Sequence, residues 1–315
     1  MAESGNLEVT GEARSEKREA REGQTFGGAT FVARWVSFVK LPHTLFALPF
    51  ALLGLLAATL VAPITVATVA WVVLAFSSAR FAAMGFNRIV DRRFDARNPR
   101  TRAREIPAGS ITVPQAFVAI GAAAALFLLA AYRLNPLCFA LSPVALLWVL
   151  GYSYAKRWTH WPHLWLGLSL AIAPVGGWLA VTGAWSEPWW LLLLITLAVM
   201  TWVAGFDIFY ALPDEGFDRD EGLRSAVVRL GVPRALLLAK LLHGVTIPAL
   251  AAFGWFAGFG RWYFVGVVAA AGILAWEHQL VQPDDLSKLD AAFFTMNGVM
   301  SVTVFAFALV DVIAR

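Results

Sequence analysis

Long apolar runs alternate with short charged ones along almost the whole chain. From Thr44 to Ala79 there is no charged residue, and the run breaks only around Pro63, so two spans of about 20 residues fit there. Similar runs follow near 112–132, 137–155, 164–183, 188–206, 235–257, 262–281 and 291–310. A helix of about 20 apolar residues matches the hydrocarbon thickness of a bilayer. The pattern therefore predicts an all-α, polytopic membrane protein with about nine transmembrane helices. Residues 1–30 break it: they are polar, mixed in charge and rich in Glu, Arg and Gly. Such a segment cannot bury enough apolar surface to fold alone, and it lacks the apolar stretch and cleavage site of a signal peptide. It reads as a disordered polar tail ahead of one transmembrane domain, residues 31–315.

Composition agrees, with 59% hydrophobic and 15% charged residues against the roughly one quarter charged in a soluble domain. The net charge of +4 does not point to nucleic acid, because the basic residues gather in loops beside the spans. Arg88 to Arg104, Lys156 with Arg157, and Arg219 to Arg234 follow spans two, four and six. The positive-inside rule then places these loops and the amino terminus in the cytoplasm, and Trp185, Trp189 and Trp190 at the opposite interface. The expected location is the inner (cytoplasmic) membrane. The single Cys138 lies in an apolar run and has no internal disulfide partner.

The charges that carry chemistry lie where spans two and six end. Asn87, Asp91 and Asp95 are four residues apart, and a helix turns only about 40° over four residues, so the three share one face. Tyr210, Asp214 and Asp218 repeat that spacing, with Asp207 a turn earlier. Pro213 should break the second helix near Ala211 or Leu212, because it lacks an amide donor and clashes with the preceding turn. Non-helical backbone at that depth needs a polar cavity or protein beside it. Carboxylates after a membrane span are often only a solvated loop, but two ladders of equal spacing point to a cation site. Mg²⁺ takes one or two carboxylates and completes its shell with water and substrate phosphates.

Basic residues supply the phosphate side: Arg100 and Arg104 follow the first ladder, and Lys156 closes span four. Arginine forks suit phosphate oxygens and lysine acts as a point charge. Acids and bases together read as a Mg²⁺-diphosphate site. Arg80 lies seven residues before Asn87 on the same face. It either snorkels to the cytoplasmic edge or reaches the cavity, where a diphosphate or a substrate carboxylate could meet it.

These motifs resemble the UbiA superfamily of intramembrane prenyltransferases. Its first aspartate motif matches Asn87, Asp91 and Asp95, and the basic motif that follows matches Arg100, Thr101 and Arg104. Its Tyr-x-x-x-Lys element matches Tyr152 and Lys156, and its second motif matches Asp207, Tyr210, Asp214 and Asp218. "KLPHTLFALPFAL" and "AAFFTMNGVMS" are similar to the branch that prenylates aromatic acids in ubiquinone or menaquinone synthesis. The resemblance implies helices around a central cavity with a cytoplasmic cap. It also implies transfer of a polyprenyl group from an allylic polyprenyl diphosphate to an aromatic hydroxy acid of the 4-hydroxybenzoate type. A dihydroxynaphthoate of the futalosine menaquinone route is the alternative acceptor.

In that chemistry the allylic diphosphate ionises and an electron-rich ring attacks the cation. Mg²⁺ held by Asn87, Asp91, Asp95, Asp214 and Asp218 would neutralise the leaving group, with Arg100, Arg104 and Lys156 on its oxygens. A free cation needs a dry pocket with aromatic faces, for which Phe81, Phe86, Phe206, Phe209 and Tyr210 are the candidates. Tyr152, Asp207 and Tyr210 join Arg80 and His43 as pocket residues. Asn297 either lines that pocket or hydrogen-bonds between helices. Glu277 and His278 are expected to stay solvated near a loop, and Lys240 and His243 have no evident role. A cation-coupled transporter is the reading from another class; it would place acids at mid-membrane without the basic cluster.

Overall fold

The computed structural model describes residues 30–282, 286, 289 and 295–315, with backbone alone at 32 and 41–46. The polar tail and part of the last expected span therefore lie outside the described residues. The helices are α1 (Phe31–Phe38), α2 (Leu41–Ala58), α3 (Val66–Arg97), α4 (Val113–Leu134), α5 (Pro136–Gly151), α6 (Ala155–Trp158), α7 (Pro162–Thr182) and α8 (Leu191–Ala211). Then follow α9 (Glu215–Asp220), α10 (Ala226–Leu230), α11 (Val232–Ala257), α12 (Arg261–Leu280) and α13 (Asn297–Ile313).

Local chemistry sets the boundaries of these helices. Thr65 and Thr112 accept hydrogen bonds from the first-turn amides of α3 and α4, and the Gln115 side-chain oxygen accepts one from the Thr112 amide. Pro136 and Pro162 occupy first-turn positions, where a missing amide proton costs nothing. Among the described residues, six helices are long and apolar enough to cross a bilayer: α3, α5 continued through α6, α4, α7, α8 continued through α9, and α11. The expectation was nine. The others pack in the same bundle, but α2 and α13 are shorter in their apolar part, and α12 carries Arg261, Glu277 and His278.

The innermost helix is α8, whose Thr201–Phe209 stretch is buried throughout. It packs between α7 and α11, while α2 lies against α7 and α13, and α3 pairs with α4. Apolar packing around Trp202, Phe253 and Tyr263 fills the centre.

A polar knot crosses this core. Asn297 accepts a hydrogen bond from Trp202 Nε1–H at 2.7 Å and donates to Glu277 Oε1 at 2.7 Å. Asn297 thus links three helices, as one of its two expectations held. Glu277 is fully buried, which overturns the expectation that it is solvated. Its helix, Arg261–Leu280, turns that side chain into the bundle toward Asn297 instead of out to solvent. His278 and His243 are likewise engaged, with His243 Nδ1 3.0 Å from His278 Nε2 and His243 Nε2 3.1 Å from the Trp202 carbonyl. A carbonyl only accepts, so in neutral His243 the proton sits on Nε2.

Asn297→Leu strips partners from both Glu277 and Trp202. Each orphaned buried group costs roughly 1–3 kcal/mol, so the thermal midpoint in detergent should fall by about 5 °C or more. A midpoint equal to wild type would show that the knot adds nothing to stability.

Candidate active site

Both aspartate ladders form where helices are made to stop. The first runs up α3, where Asn87 Nδ2 donates to Asp91 Oδ2 at 2.8 Å, confirming that the two share a face. The helix ends at Asn98, whose extended backbone is what a following proline imposes. The chain then turns back: the Thr101 amide bonds the Asn98 carbonyl at 3.0 Å, and Thr101 Oγ1 reaches the Asp95 carbonyl at 3.1 Å. This turn returns Arg104 to the ladder, where its Nη1 donates to Asp95 Oδ1 at 2.7 Å.

The second ladder follows the break expected at Pro213. α8 ends at Ala211, a single 3₁₀ turn covers Leu212–Asp214, and α9 carries on to Asp220. Asp214 and Asp218 are both buried.

The turn after α3 joins the two ladders. Asn98 Nδ2 donates to Asp214 Oδ1 at 3.1 Å, and Arg100 forms an ion pair with Asp214. Lys156 Nζ lies 2.7 Å from Asp218 Oδ2, and Arg157 Nη2 is 3.0 Å from Asp91 Oδ1. Every carboxylate of the set thus has a cationic neighbour, drawn from the loops expected to bind phosphate. Sequence reasoning did not single out Asn98 or Arg157. Pro99 marks the helix end that positions Asn98, and Arg157, the next residue after Lys156, faces the first ladder where Lys156 faces the second.

Among the described residues, no three Asp, Glu, His or Cys side chains stand close enough to hold a metal by themselves. The donor set still suits a hard divalent cation. All its ligands would be oxygens, Mg²⁺ needs only one or two carboxylates when phosphates complete its shell, and buried Asp95 Oδ2 has no hydrogen-bond partner. An unpaired buried carboxylate oxygen is costly, and a cation offsets that cost.

Beside the ladders opens a cavity of about 590 Å³. Arg80, Asn87, Tyr152, Asp207 and Tyr210 line it, so Arg80 reaches the cavity as one of its two expectations held. Phe76, Met84, Leu146 and Trp148 continue the wall in apolar character. Of the five aromatic candidates only Phe206 and Tyr210 line it. Phe209 packs on His243 and His278, Phe81 stacks on Trp35, and Phe86 meets Tyr154. Asn297 is not among the described lining residues, and the His43 side chain lies outside the described residues.

One lining residue has no counterpart in the sequence reading. Lys40, between α1 and α2, holds a left-handed backbone (φ +46°) that is uncommon for a residue with a side chain. Its Nζ donates to Tyr210 Oη at 2.8 Å, and the Arg100 guanidinium lies over the Tyr210 ring at 4.7 Å. Burial pushes the Lys40 ammonium below its ordinary value, and the Tyr210 oxygen offsets part of that. Arg104 shows the opposite balance: burial disfavours its charge, but Tyr210 and Asp95 outweigh it and hold the guanidinium above its ordinary value. Two cations around one phenol, with a third held by Asp95, make this end of the cavity anion-attracting.

Comparison with known proteins agrees with this geometry. The model of the UbiA prenyltransferase family matches residues 47–299. The chain is 32% identical over 218 residues to a protein of Sodalis glossinidius named 4-hydroxybenzoate octaprenyltransferase, covering 69% of this chain and 74% of that one. The solved apo structure of a UbiA homologue from Aeropyrum pernix K1 superposes with a TM-score of 0.78 at 30% identity, covering 85% of this chain and 98% of that one. A UbiA homologue from Archaeoglobus fulgidus, solved with GPP and Mg²⁺, shares the fold with a TM-score of 0.70 at 22% identity, covering 90% of this chain and all of the other. With a family match over most of its length and a bundle whose helix ends carry both aspartate ladders, this chain is a multi-pass membrane protein of the UbiA prenyltransferase family.

Proposed function

We propose that the protein transfers a polyprenyl group from an allylic polyprenyl diphosphate to an aromatic hydroxy acid of the 4-hydroxybenzoate type. The observation that carries this reading is the junction of the two ladders, where Asn98 and Arg100 of one helix end hold Asp214 of the other. Such a junction suits a ligand that is both anionic and cation-bound, and a diphosphate is one. The name of the Sodalis glossinidius relative supports the aromatic acceptor. The GPP and Mg²⁺ in the Archaeoglobus fulgidus homologue support the donor and metal.

Asn87, Asp91, Asp95, Asp214 and Asp218 would hold Mg²⁺, which when bound supplies positive charge to a departing diphosphate. The rest of the chemistry falls to the chain. Arg100, Arg104 and Lys156 exchange their carboxylate partners for phosphate oxygens when the donor binds. The apolar cavity keeps water from the allylic cation, and the Phe206 and Tyr210 side chains line it. Arg80 anchors the acceptor carboxylate by its guanidinium fork. Asp207, also on the wall, accepts a hydrogen bond from the acceptor's phenolic hydroxyl. The active site faces the cytoplasm from the inner membrane, on the side where the basic loops lie. Acids clustered where two helices end and paired with bases do not favour a transporter.

Membranes holding the protein, Mg²⁺ and a labelled long-chain polyprenyl diphosphate should convert 4-hydroxybenzoate to its prenylated acid, detected by mass analysis of the lipid extract. A dihydroxynaphthoate in a parallel reaction reads out the alternative acceptor. Absence of product with either acid would refute the proposal. Arg104→Ala should raise the KM for the prenyl donor about 10- to 100-fold, the value of one charge-assisted phosphate contact. An unchanged KM would remove Arg104 from the diphosphate site.

A further inference from the structure

Asp207 is held by a residue outside both aspartate motifs. His163, in the first turn of α7, is buried, and its Nδ1 lies 2.7 Å from Asp207 Oδ2. On the other side of the ring, Nε2 is 3.3 Å from the Ala226 amide of α10. That amide can only donate, so Nε2 is the acceptor and carries no proton. The proton of the ring therefore sits on Nδ1 and points at Asp207. A backbone group fixes the tautomer, and the tautomer fixes the carboxylate.

We infer that His163 is a positioning residue for the prenylated acceptor: it occupies one oxygen of Asp207 and orients the carboxylate to take the phenolic hydrogen. This rests on the reading of Asp207 given above. As the ring carbon beside the hydroxyl bonds to the allylic carbon, the C–O bond to diphosphate has broken with its electron pair on the diphosphate. The phenolic proton moves to Asp207 and leaves a neutral dienone. The ring proton then passes to the released diphosphate, and Asp207 returns its own proton to the oxygen as aromaticity is restored. His163 keeps its Nδ1 proton throughout; its task is to favour one orientation of Asp207.

Two isosteric substitutions separate this role from a structural one. His163→Asn can place an amide donor near the Nδ1 position but loses the partner of Ala226. His163→Gln can place an acceptor near the Nε2 position but loses the donor to Asp207. Each variant keeps one native contact, so each keeps part of the local support for folding. The quantity to measure is the specificity constant, kcat/KM, with 4-hydroxybenzoate as the acceptor, divided by the same constant with its methyl ether, which has no phenolic proton. His163→Gln should lower this ratio about tenfold, the worth of one charge-assisted hydrogen bond, with the KM for the prenyl donor unchanged. His163→Asn should keep the ratio within about threefold of wild type. A ratio unchanged in His163→Gln, or lowered equally in both variants, would overturn the inference. A wild-type protein inactive on 4-hydroxybenzoate would instead refute the proposed acceptor.

Discussion

Asp214→Ala is expected to lower prenyl transfer at least about a thousandfold while the chain still inserts and folds. Asp214 is where both helix ends meet: its two oxygens receive Asn98 Nδ2 and Arg100. Removing it deletes a proposed metal ligand and frees Arg100 from the position in which it would meet the diphosphate. Asp91→Ala should act alike, because it removes the partner of Asn87 and Arg157 at the other ladder. The check is product formation in membranes at matched protein levels, repeated at raised Mg²⁺. Turnover near that of wild type would mean that neither ladder serves the departing group.

Gly54→Leu is expected to lower stability by driving two helices apart. A Cβ at Gly54 would stand 1.9 Å from the Pro174 carbonyl oxygen, and one at Gly177 would stand 2.5 Å from the Ala51 carbonyl oxygen. Both obstacles are backbone, which cannot swing aside, so the contact between α2 and α7 depends on two glycines facing each other's chain. Small residues bring membrane helices to this distance. Forcing a side chain in separates the helices and costs about 1–3 kcal/mol or more. The damage reaches the site, because Ala51 and Gly177 also line the cavity. The expected result is a thermal midpoint in detergent lowered by roughly 5 °C or more, with activity falling in parallel. A midpoint within about a degree of wild type would contradict the packing described here.

Much of this arrangement could be read from residue order, and the reason differs from element to element. Spacing of four residues put Asn87, Asp91 and Asp95 on one face, because helix geometry leaves no alternative within a continuous helix. Pro213 announced the break after α8, because its effect on the backbone is local. The last turns of α12 were misread for the opposite reason. A hydropathy pattern weighs Glu277 as a charge bound for water, whereas its place is decided by Asn297, twenty residues away and on another helix. Lys40 and His163 were missed because their partners, Tyr210 and Asp207, lie 170 and 44 residues distant. No periodic signal connects positions that far apart. Among the described residues the number of long apolar helices falls short of nine because α2 and α13 are shorter in their apolar part and α12 carries Arg261, Glu277 and His278.

The central claim is that two ladders serve one ligand. A structure of the protein bound to Mg²⁺ and a non-hydrolysable thio-analogue of a polyprenyl diphosphate tests that most directly. The expected result is a single diphosphate with aspartates of both ladders within metal-ligand distance, about 2.1 Å, of the ions on it. A diphosphate bound through ions held by one ladder alone, with Asp214 and Asp218 still paired to Arg100 and Lys156, would contradict it.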